Sequence, residues 1–232
     1  MLRLTDIKLP LDHPAEALPK AIRAKLGILP DELRGFTVFR RGYDARKRGA
    51  IALIYTLDVD VADEAALLAR HADDRHVQPT PDTSYRYVAQ APAKLEHRPI
   101  VIGFGPCGIF AALILAQSGF RPIVLERGKA VRERTKDTWD LWRKRNLHPD
   151  SNVQFGEGGA GTFSDGKLHS QIRDPQHHGR KVLAEFVQAG APEEILYVSK
   201  PHIGTFRLVT MVENLRANIE ALGGEIRFNQ RV

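Results

Sequence analysis

The sequence has 232 residues, 43% of them apolar, and a net charge of +6, which is the composition of a globular protein with room for more than one domain. No uninterrupted apolar run reaches the roughly 20 residues of a membrane-spanning helix, and the N-terminus "MLRLTDIKLPLDHP" lacks the pattern of a signal peptide. A single cysteine excludes an intramolecular disulfide framework. These features predict a cytoplasmic protein without a membrane partner.

Residues 1–75 are predicted to form a small α+β domain. The run "LRLTDIKL" alternates like a strand, and "PAEALPKAIRAKLGI" has helical spacing that ends at Gly27. Two β-rich runs joined by a glycine-containing loop then indicate a hairpin, and "DEAALLARHA" indicates a short helix. The order strand, helix, strand, strand, helix suits a ferredoxin-like split βαβ arrangement.

The hairpin loop is basic, and a second basic run extends from Lys129 to Arg145. Such clusters bind nucleic acid or anionic ligands in some proteins, whereas most charge runs are solvated loops and helix faces. Tyr43 is the main aromatic residue there that could stack on bases, so nucleic-acid binding ranks below dinucleotide binding as a function. The basic residues of the loop are Arg40, Arg41, Arg46, Lys47 and Arg48.

Residues 76–97 are predicted to be a linker, because "QPTPDTSYRY" and "QAPAKLEHRP" combine several prolines with few aliphatic residues. A second domain is predicted to cover residues 98–232. It begins with the apolar, β-branched run "PIVIG", which is typical of a strand that is buried on both faces.

A glycine-rich turn with the pattern GxGxxG follows this strand and precedes the helical run "IFAALILAQSG". In such a turn Gly103 permits the change of direction, Gly105 lets the backbone approach a diphosphate, and Gly108 allows the helix to pack closely on the strand. The helix N-terminus adds N–H groups and a partial positive charge. Pro106 and Cys107 complete the turn, with Cys107 interpreted as a small filler residue rather than a redox group.

An acidic residue follows at the spacing that dinucleotide sites use. The next predicted strand, "RPIVLE", ends in Glu126, eighteen residues after Gly108, close to the expected spacing of about 20. A carboxylate at this point accepts hydrogen bonds from ribose hydroxyls and repels a 2′-phosphate, which disfavours NADP, although the adjacent Arg127 acts in the opposite direction. The pattern predicts a dinucleotide-binding α/β domain and leaves FAD and NAD both open.

Longer stretches resemble a known family. Arg98 to Gly128 resembles the first βαβ unit of FAD-binding flavoproteins of the glutathione-reductase type, in which a basic residue and often a glycine follow the ribose-binding acid, as in "ERG". Val153 to Leu168, "VQFGEGGAGTFSDGKL", and Lys200 to Leu208, "KPHIGTFRL", are similar to a group of uncharacterised bacterial FAD-dependent dehydrogenases. That group also carries a ferredoxin-like domain with a basic "DAR" loop. The resemblance covers nearly the whole chain.

The resemblance implies an FAD-dependent oxidoreductase with a Rossmann-like FAD-binding domain. It implies an unidentified small-molecule substrate, with NAD(P)H as a further partner. It also implies that the second glycine-rich segment lines the diphosphate and the isoalloxazine. Independently of the resemblance, five glycines within eleven residues can form an anion-binding nest. The cofactor ligands expected in this segment are Gly158, Gly159, Thr162, Ser164 and Lys167.

The predicted chemistry of the site is incomplete. Lys167 near the flavin carbonyl would stabilise a reduced anionic flavin, and His202 could lie on the substrate side, so these two residues are the candidate catalytic groups. No HExxH or Cys/His pattern indicates a metal.

The last segment, "GGEIRFNQRV", is predicted to be the next strand of the doubly wound sheet. In the resembling flavoproteins, a valine at this strand end, here Val232, contacts the adenine through its backbone. Further strands and a late glycine–aspartate motif follow in that family. We therefore expect the chain to be an N-terminal fragment that lacks a C-terminal half, to be inactive by itself, and to bind FAD weakly or not at all.

Two alternative functions remain open on the sequence. The first is an NAD-binding oxidoreductase that uses the same glycine turn; protection of the chain by NADH rather than by FAD would identify it. The second is a nucleic-acid-binding module in which the nucleotide-binding fold is accessory. It predicts salt-dependent binding that is lost when the basic hairpin loop is neutralised.

Overall fold

The computed structural model describes residues 1–46, 49–168, 170 and 172–232. The chain belongs to the mixed α/β class and contains one antiparallel and one parallel sheet. It divides into two compact units. The first unit contains Met1–Thr83 and Glu194–Ser199, and the second contains Ser84–Glu193 and Lys200–Val232.

The first unit has an antiparallel sheet and two helices. The strands are β1 (Leu2–Pro10), β2 (Leu33–Asp44), β3 (Ala52–Val61) and β4 (Val77–Pro79), and the helices are α1 (Ala17–Leu26) and α2 (Glu64–Arg70), with a short 3-10 turn at Pro30–Glu32. The spatial order of the strands is β2-β3-β1-β4, and every neighbouring pair is antiparallel. The predicted strand, helix and hairpin order is confirmed, with β4 as an additional strand.

The core of the first unit lies where the sheet meets its helices. Leu4 and Leu57 pair across β1 and β3 and are fully buried, as are Ile22 and Leu26 of α1. Helix α1 ends at Gly27, as predicted, because that residue adopts the left-handed conformation (φ +62°) that glycine tolerates best.

The boundaries of the first unit differ from those predicted. Strand β4 lies inside the predicted linker, where its few residues pair with the edge of β1, and the unit extends to Thr83. In addition, the N–H of Arg41 donates to the carbonyl oxygen of Tyr197 (2.7 Å), and the N–H of Ser199 donates to that of Arg41 (2.8 Å). Strand β2 is an edge strand, so its open side pairs with a segment that is distant in sequence.

The second unit has a parallel sheet with helices between its strands. The strands are β5 (Ile100–Ile102), β6 (Ile123–Leu125) and β7 (Glu225–Arg227), and the helices are α3 (Pro106–Gln117), α4 (Val131–Lys144), α5 (His178–Gln188) and α6 (Thr205–Ala221). Short 3-10 turns cover Ala160–Phe163 and Glu193–Leu196. The strand order is β5-β6-β7, which includes the predicted strand in "GGEIRFNQRV".

The expectation that β5 is buried on both faces is wrong. Ile100 and Ile102 are 61% and 67% exposed, whereas Val124 of β6 is fully buried. The reason is position: β5 is at the edge of the sheet, and β6 is its central strand. Within the described part of the chain, no helix combines the length and the apolar character needed to cross a membrane.

Candidate functional site

The first glycine turn, residues 103–108, has the geometry that its sequence predicts. Gly103 follows β5 with φ +89°. A Cβ on Gly108 would lie 1.9 Å from the carbonyl oxygen of Gly103, so only glycine lets helix α3 begin so close to the turn. Gly105 is the extended N-cap residue of α3 and provides no side-chain cap. The helix N-terminus is therefore available to an anion.

A second glycine segment, residues 156–166, crosses this turn. The N–H of Gly158 donates to the carbonyl oxygen of Phe104 at 2.8 Å. Gly159 has φ +65°, and a Cβ on it would lie 3.0 Å from Cδ of Pro106 and 3.3 Å from Cα of Gly105. The two glycine segments thus lie against each other, and a side chain at Gly159 would crowd the first turn.

Two cavities of about 250 Å³ each are lined by residues of both glycine segments. Six predicted cofactor residues line the first cavity: Gly103, Gly105, Glu126, Arg127, Gly159 and Val232. Five line the second: Pro106, Gly158, Thr162, Ser164 and Lys167.

The remaining two predicted residues, Cys107 and Gly108, line neither cavity and lie in the first turn of α3, where Cys107 is exposed. The rest of the second cavity is largely apolar and includes Ile109, Phe110 and Met211.

Glu126 has a structural role in addition to the predicted one. Its side chain is 4% exposed, and the carboxylate accepts the N–H of Phe104 at 2.6 Å and the N–H of Gly128 at 2.7 Å. It therefore fixes the end of β6 to the turn after β5. Each carboxylate oxygen retains a further lone pair that can accept a ribose hydroxyl.

The glycine of "ERG" has a packing explanation. A Cβ on Gly128 would lie 2.5 Å from Cα of Gly156, so the second glycine segment also presses against the end of β6. Beside it, Arg127 forms an ion pair with Asp150 (2.6 Å), and its guanidinium lies 4.1 Å from the centre of the Phe155 ring. The hydrogen bond from Arg127 lowers the pKa of the Asp150 carboxyl.

Arg134 is a buried residue at this site that the sequence did not predict. Its guanidinium donates to the carbonyl oxygens of Asn152 (2.7 Å), Val153 (2.8 Å) and Glu157 (2.5 Å), and it lies 4.8 Å from the centre of the Phe163 ring. Burial lowers the pKa of Arg134 to about 10. Its sequence context, "VRERTKD", is typical of a solvated helix face, so no signal in the sequence distinguishes this arginine from its neighbours.

Glu157 is the second unpredicted residue. Its fully buried carboxylate accepts the N–H of Val131 at 2.6 Å and a hydrogen bond from Arg216 at 3.1 Å, and its Oε1 has no partner within the described residues. Burial raises the pKa of this carboxyl to about 7. The one signal in the sequence is a charged residue within the glycine run "GEGGAG".

The two candidate catalytic residues lie close together on adjacent backbone segments. Lys167 and His202 face each other in an antiparallel bridge, and both approach the carboxylate of Asp165, at 3.0 Å and 4.0 Å respectively. Both side chains are exposed, and the hydrogen bond from Lys167 lowers the pKa of Asp165. No group of three or more metal-ligating side chains occurs among the residues that the structure describes.

The basic hairpin loop of the first unit has part of its charge compensated. Arg46 forms a bidentate ion pair with Asp44, and the guanidinium of Arg41 lies 5.3 Å from the centre of the Tyr197 ring. Arg40 lies in β2. Lys47 and Arg48, the other two residues of the predicted basic cluster, lie outside the described residues.

Comparison with known proteins shows similarity to proteins without assigned roles. Residues 1–60 match a family described as "Domain of unknown function (DUF8436)". A protein of Clostridium beijerinckii (strain ATCC 51743 / NCIMB 8052), described as "Uncharacterized protein", is 41% identical over 231 residues. That match covers 100% of this chain and 43% of the relative, so the chain spans less than half of the relative's length.

Proposed function

We propose that the second unit binds FAD and that the chain contributes this site to an FAD-dependent oxidoreductase. The observation that carries the proposal is a pair of cavities that each include residues of both glycine segments, since a dinucleotide has two ends and a diphosphate between them. In this proposal the second unit is a Rossmann-like domain, and the first, with its strand order β2-β3-β1-β4, is ferredoxin-like.

The diphosphate is assigned to the point where the glycine segments meet. The N-terminus of α3 offers uncapped N–H groups there, and the glycines allow close approach of the backbone. An independent feature supports a polar ligand: Thr162 is 2% exposed, lines the second cavity, and its Oγ1 has no partner within the described chain. Native proteins seldom leave such an atom unsatisfied.

The adenosine half is assigned to the first cavity. Glu126 lines this cavity beside Arg127 and Val232, where its free lone pairs can accept the ribose hydroxyls. A carboxylate that two backbone N–H groups hold at this position repels a 2′-phosphate. This arrangement favours FAD or NAD over NADP.

The flavin end is assigned to the second cavity. A bound FAD would supply two-electron redox chemistry toward a small-molecule substrate or NAD(P)H. Lys167 contributes positive charge at the rim of this cavity, and its ion pair with Asp165 orients the ammonium group. Lys167, through its charge near the reduced flavin, and His202, on the substrate side, are the proposed catalytic groups, and the proposed location of the protein is the cytoplasm.

FAD is preferred to NAD because of the second glycine segment. An NAD site needs the first glycine turn and Glu126, whereas the second cavity, with its apolar lining and the polar side chains Thr162, Ser164 and Lys167, suits a large planar ring with a polar edge. The test is a titration of the folded chain with FAD, NADH and ADP, followed by the change in flavin absorbance or nucleotide fluorescence. We expect weak but saturable FAD binding that ADP competes away and NADH displaces poorly. Tighter binding of NADH than of FAD would identify the alternative.

A further inference from the structure

We propose that Arg134 and Glu157 are positioning residues for the FAD site, which fix the second glycine segment against the first glycine turn although neither lines either cavity. This inference rests on the proposed function. It adds a requirement that the glycine pattern alone does not contain: cofactor affinity depends on two buried ionisable side chains behind the segment.

Arg134 reaches the segment from helix α4. Its guanidinium donates to three carbonyl oxygens, two before Gly156 and one directly after it. A Cβ on Gly156, which has φ +116°, would lie 2.4 Å from Cδ of Arg134, so the backbone wraps against the arginine side chain itself. A planar fork with five donors can satisfy three carbonyls at once, whereas a lysine ammonium cannot reproduce this spread.

Glu157 makes the reciprocal connection from the segment to the helices. Its carboxylate accepts the N–H of Val131, the first residue of α4, and a hydrogen bond from Arg216 of α6. A carboxylate at the start of a helix is stabilised by the helix dipole. Two side chains therefore connect the segment to α4: that of Arg134, which belongs to α4, and that of Glu157, which belongs to the segment.

This frame, formed by Arg134 and Glu157, lies directly behind the proposed cofactor contact. Glu157 precedes Gly158, whose N–H donates to the carbonyl oxygen of Phe104, and Gly159, where a Cβ would crowd Pro106 and Gly105. A displacement of Glu157 therefore moves both glycines. The frame determines whether the N–H groups and the exposed backbone of the two glycine segments are in place before the cofactor binds. Preorganisation of this kind raises the affinity for the cofactor.

The test compares three variants of the chain. Arg134→Lys keeps the charge and removes the fork; Glu157→Ala removes the carboxylate. Arg132→Gln is the matched control, because Arg132 also joins α4 to α6, through an exposed ion pair with Glu213. Two readouts are measured: FAD affinity, and amide hydrogen exchange of peptides that cover residues 152–162, which requires no ligand.

We expect Arg134→Lys to raise exchange in residues 152–162 and to weaken FAD binding by about tenfold, the equivalent of one net hydrogen bond. Glu157→Ala should act in the same direction, and Arg132→Gln should change neither readout. Unchanged exchange in Arg134→Lys would contradict the claim that Arg134 and Glu157 fix the second glycine segment. Raised exchange with unchanged FAD affinity would contradict the claim that this frame contributes to cofactor binding. If the unsubstituted chain bound no FAD, the proposed function would fail, while the exchange result would still decide whether the frame fixes the segment.

Discussion

Gly158 donates its backbone N–H to the carbonyl oxygen of Phe104 at 2.8 Å, and this bond joins two glycine-rich segments from distant parts of the chain. Around it, Gly159 lies against Gly105 and Pro106, and residues of both segments line two cavities. The site therefore depends on a contact between two segments rather than on the GxGxxG turn alone.

The glycines of the first turn should respond differently to the same substitution. Gly108→Ala places a Cβ 1.9 Å from the carbonyl oxygen of Gly103, so it should destabilise the second unit by about 2–3 kcal/mol. Gly105→Ala places its Cβ 3.8 Å from Gly159 and should leave stability nearly unchanged. Because Gly105→Ala narrows the proposed diphosphate position, it should still weaken FAD binding. Urea unfolding followed by tryptophan fluorescence, with a parallel FAD titration, measures both effects.

Glu126 should contribute to stability as well as to ligand binding. Glu126→Gln replaces one acceptor oxygen by an NH2 group, which then faces the N–H of Phe104 or of Gly128. Leaving one such buried donor unpaired costs about 1–3 kcal/mol. Glu225→Gln is the control, because that carboxylate forms exposed ion pairs with Arg98 and Arg227 and should affect stability little. Equal unfolding midpoints for the two variants would contradict the role of Glu126.

The stability of the second unit should decrease as the pH rises through neutrality. Burial raises the pKa of Glu157 in the folded state to about 7, from an ordinary value of 4.5. At pH values between 4.5 and 7, Glu157 is deprotonated in the unfolded chain but still protonated in the folded chain. Its contribution to the stability of the folded state is therefore complete below pH 4.5 and is lost as the pH rises through 7. The shift corresponds to about 3 kcal/mol.

Glu157→Gln tests this pH dependence because it removes the titration. The free energy of unfolding should be measured by urea titration at about pH 4 and about pH 8 for both proteins, with the pKa values of Glu157 inside that range. The unsubstituted chain should lose stability relative to Glu157→Gln between the two conditions. Parallel curves for the two proteins would show that Glu157 does not retain its proton in the folded state.

Two bidentate arginine–carboxylate pairs in the first unit differ mainly in burial. Arg3 binds Asp58 inside the unit, and Arg46 binds Asp44 on its surface, where Arg46 is 79% exposed. Arg3→Gln leaves a buried carboxylate without its cation and should cost about 3–5 kcal/mol. Arg46→Gln should cost little, because solvent already screens that pair. Both tryptophans lie in the second unit, so exchange of the β3 amides is the appropriate measurement.

Local patterns in the sequence predicted the elements well. Strand alternation in β1, the helical spacing of α1, and the left-handed end at Gly27 depend on neighbouring residues, and the structure has these features where the sequence indicates them. Eleven of the thirteen predicted cofactor residues line one of the two cavities, and those of the first turn do so because a glycine turn between a strand and a helix fixes its own geometry.

Long-range contacts could not be predicted in the same way. Arg134 has the same charged neighbours as a solvated helix residue, and only the folded chain shows that three carbonyls surround its guanidinium. The pairing of β2 with Tyr197 and Ser199 likewise depends on an open sheet edge rather than on local composition. The prediction that β5 is buried was wrong because an apolar, β-branched run in the sequence does not show whether the strand lies at the centre or at the edge of a sheet.

The most direct test of the central claim is an FAD titration of the unsubstituted chain beside Gly159→Ala and Gly49→Ala. Both glycines have a positive φ (+65° and +80°), so alanine strains the backbone at each, but a Cβ on Gly159 meets Pro106 and Gly105, whereas a Cβ on Gly49, in the first unit, meets none of the described atoms within 4 Å. We predict weak, saturable binding of one FAD per chain, retained in Gly49→Ala and weakened at least about tenfold in Gly159→Ala. No FAD binding by the folded chain, or equal affinity in the two variants, would contradict the claim that the two glycine segments together form the cofactor site.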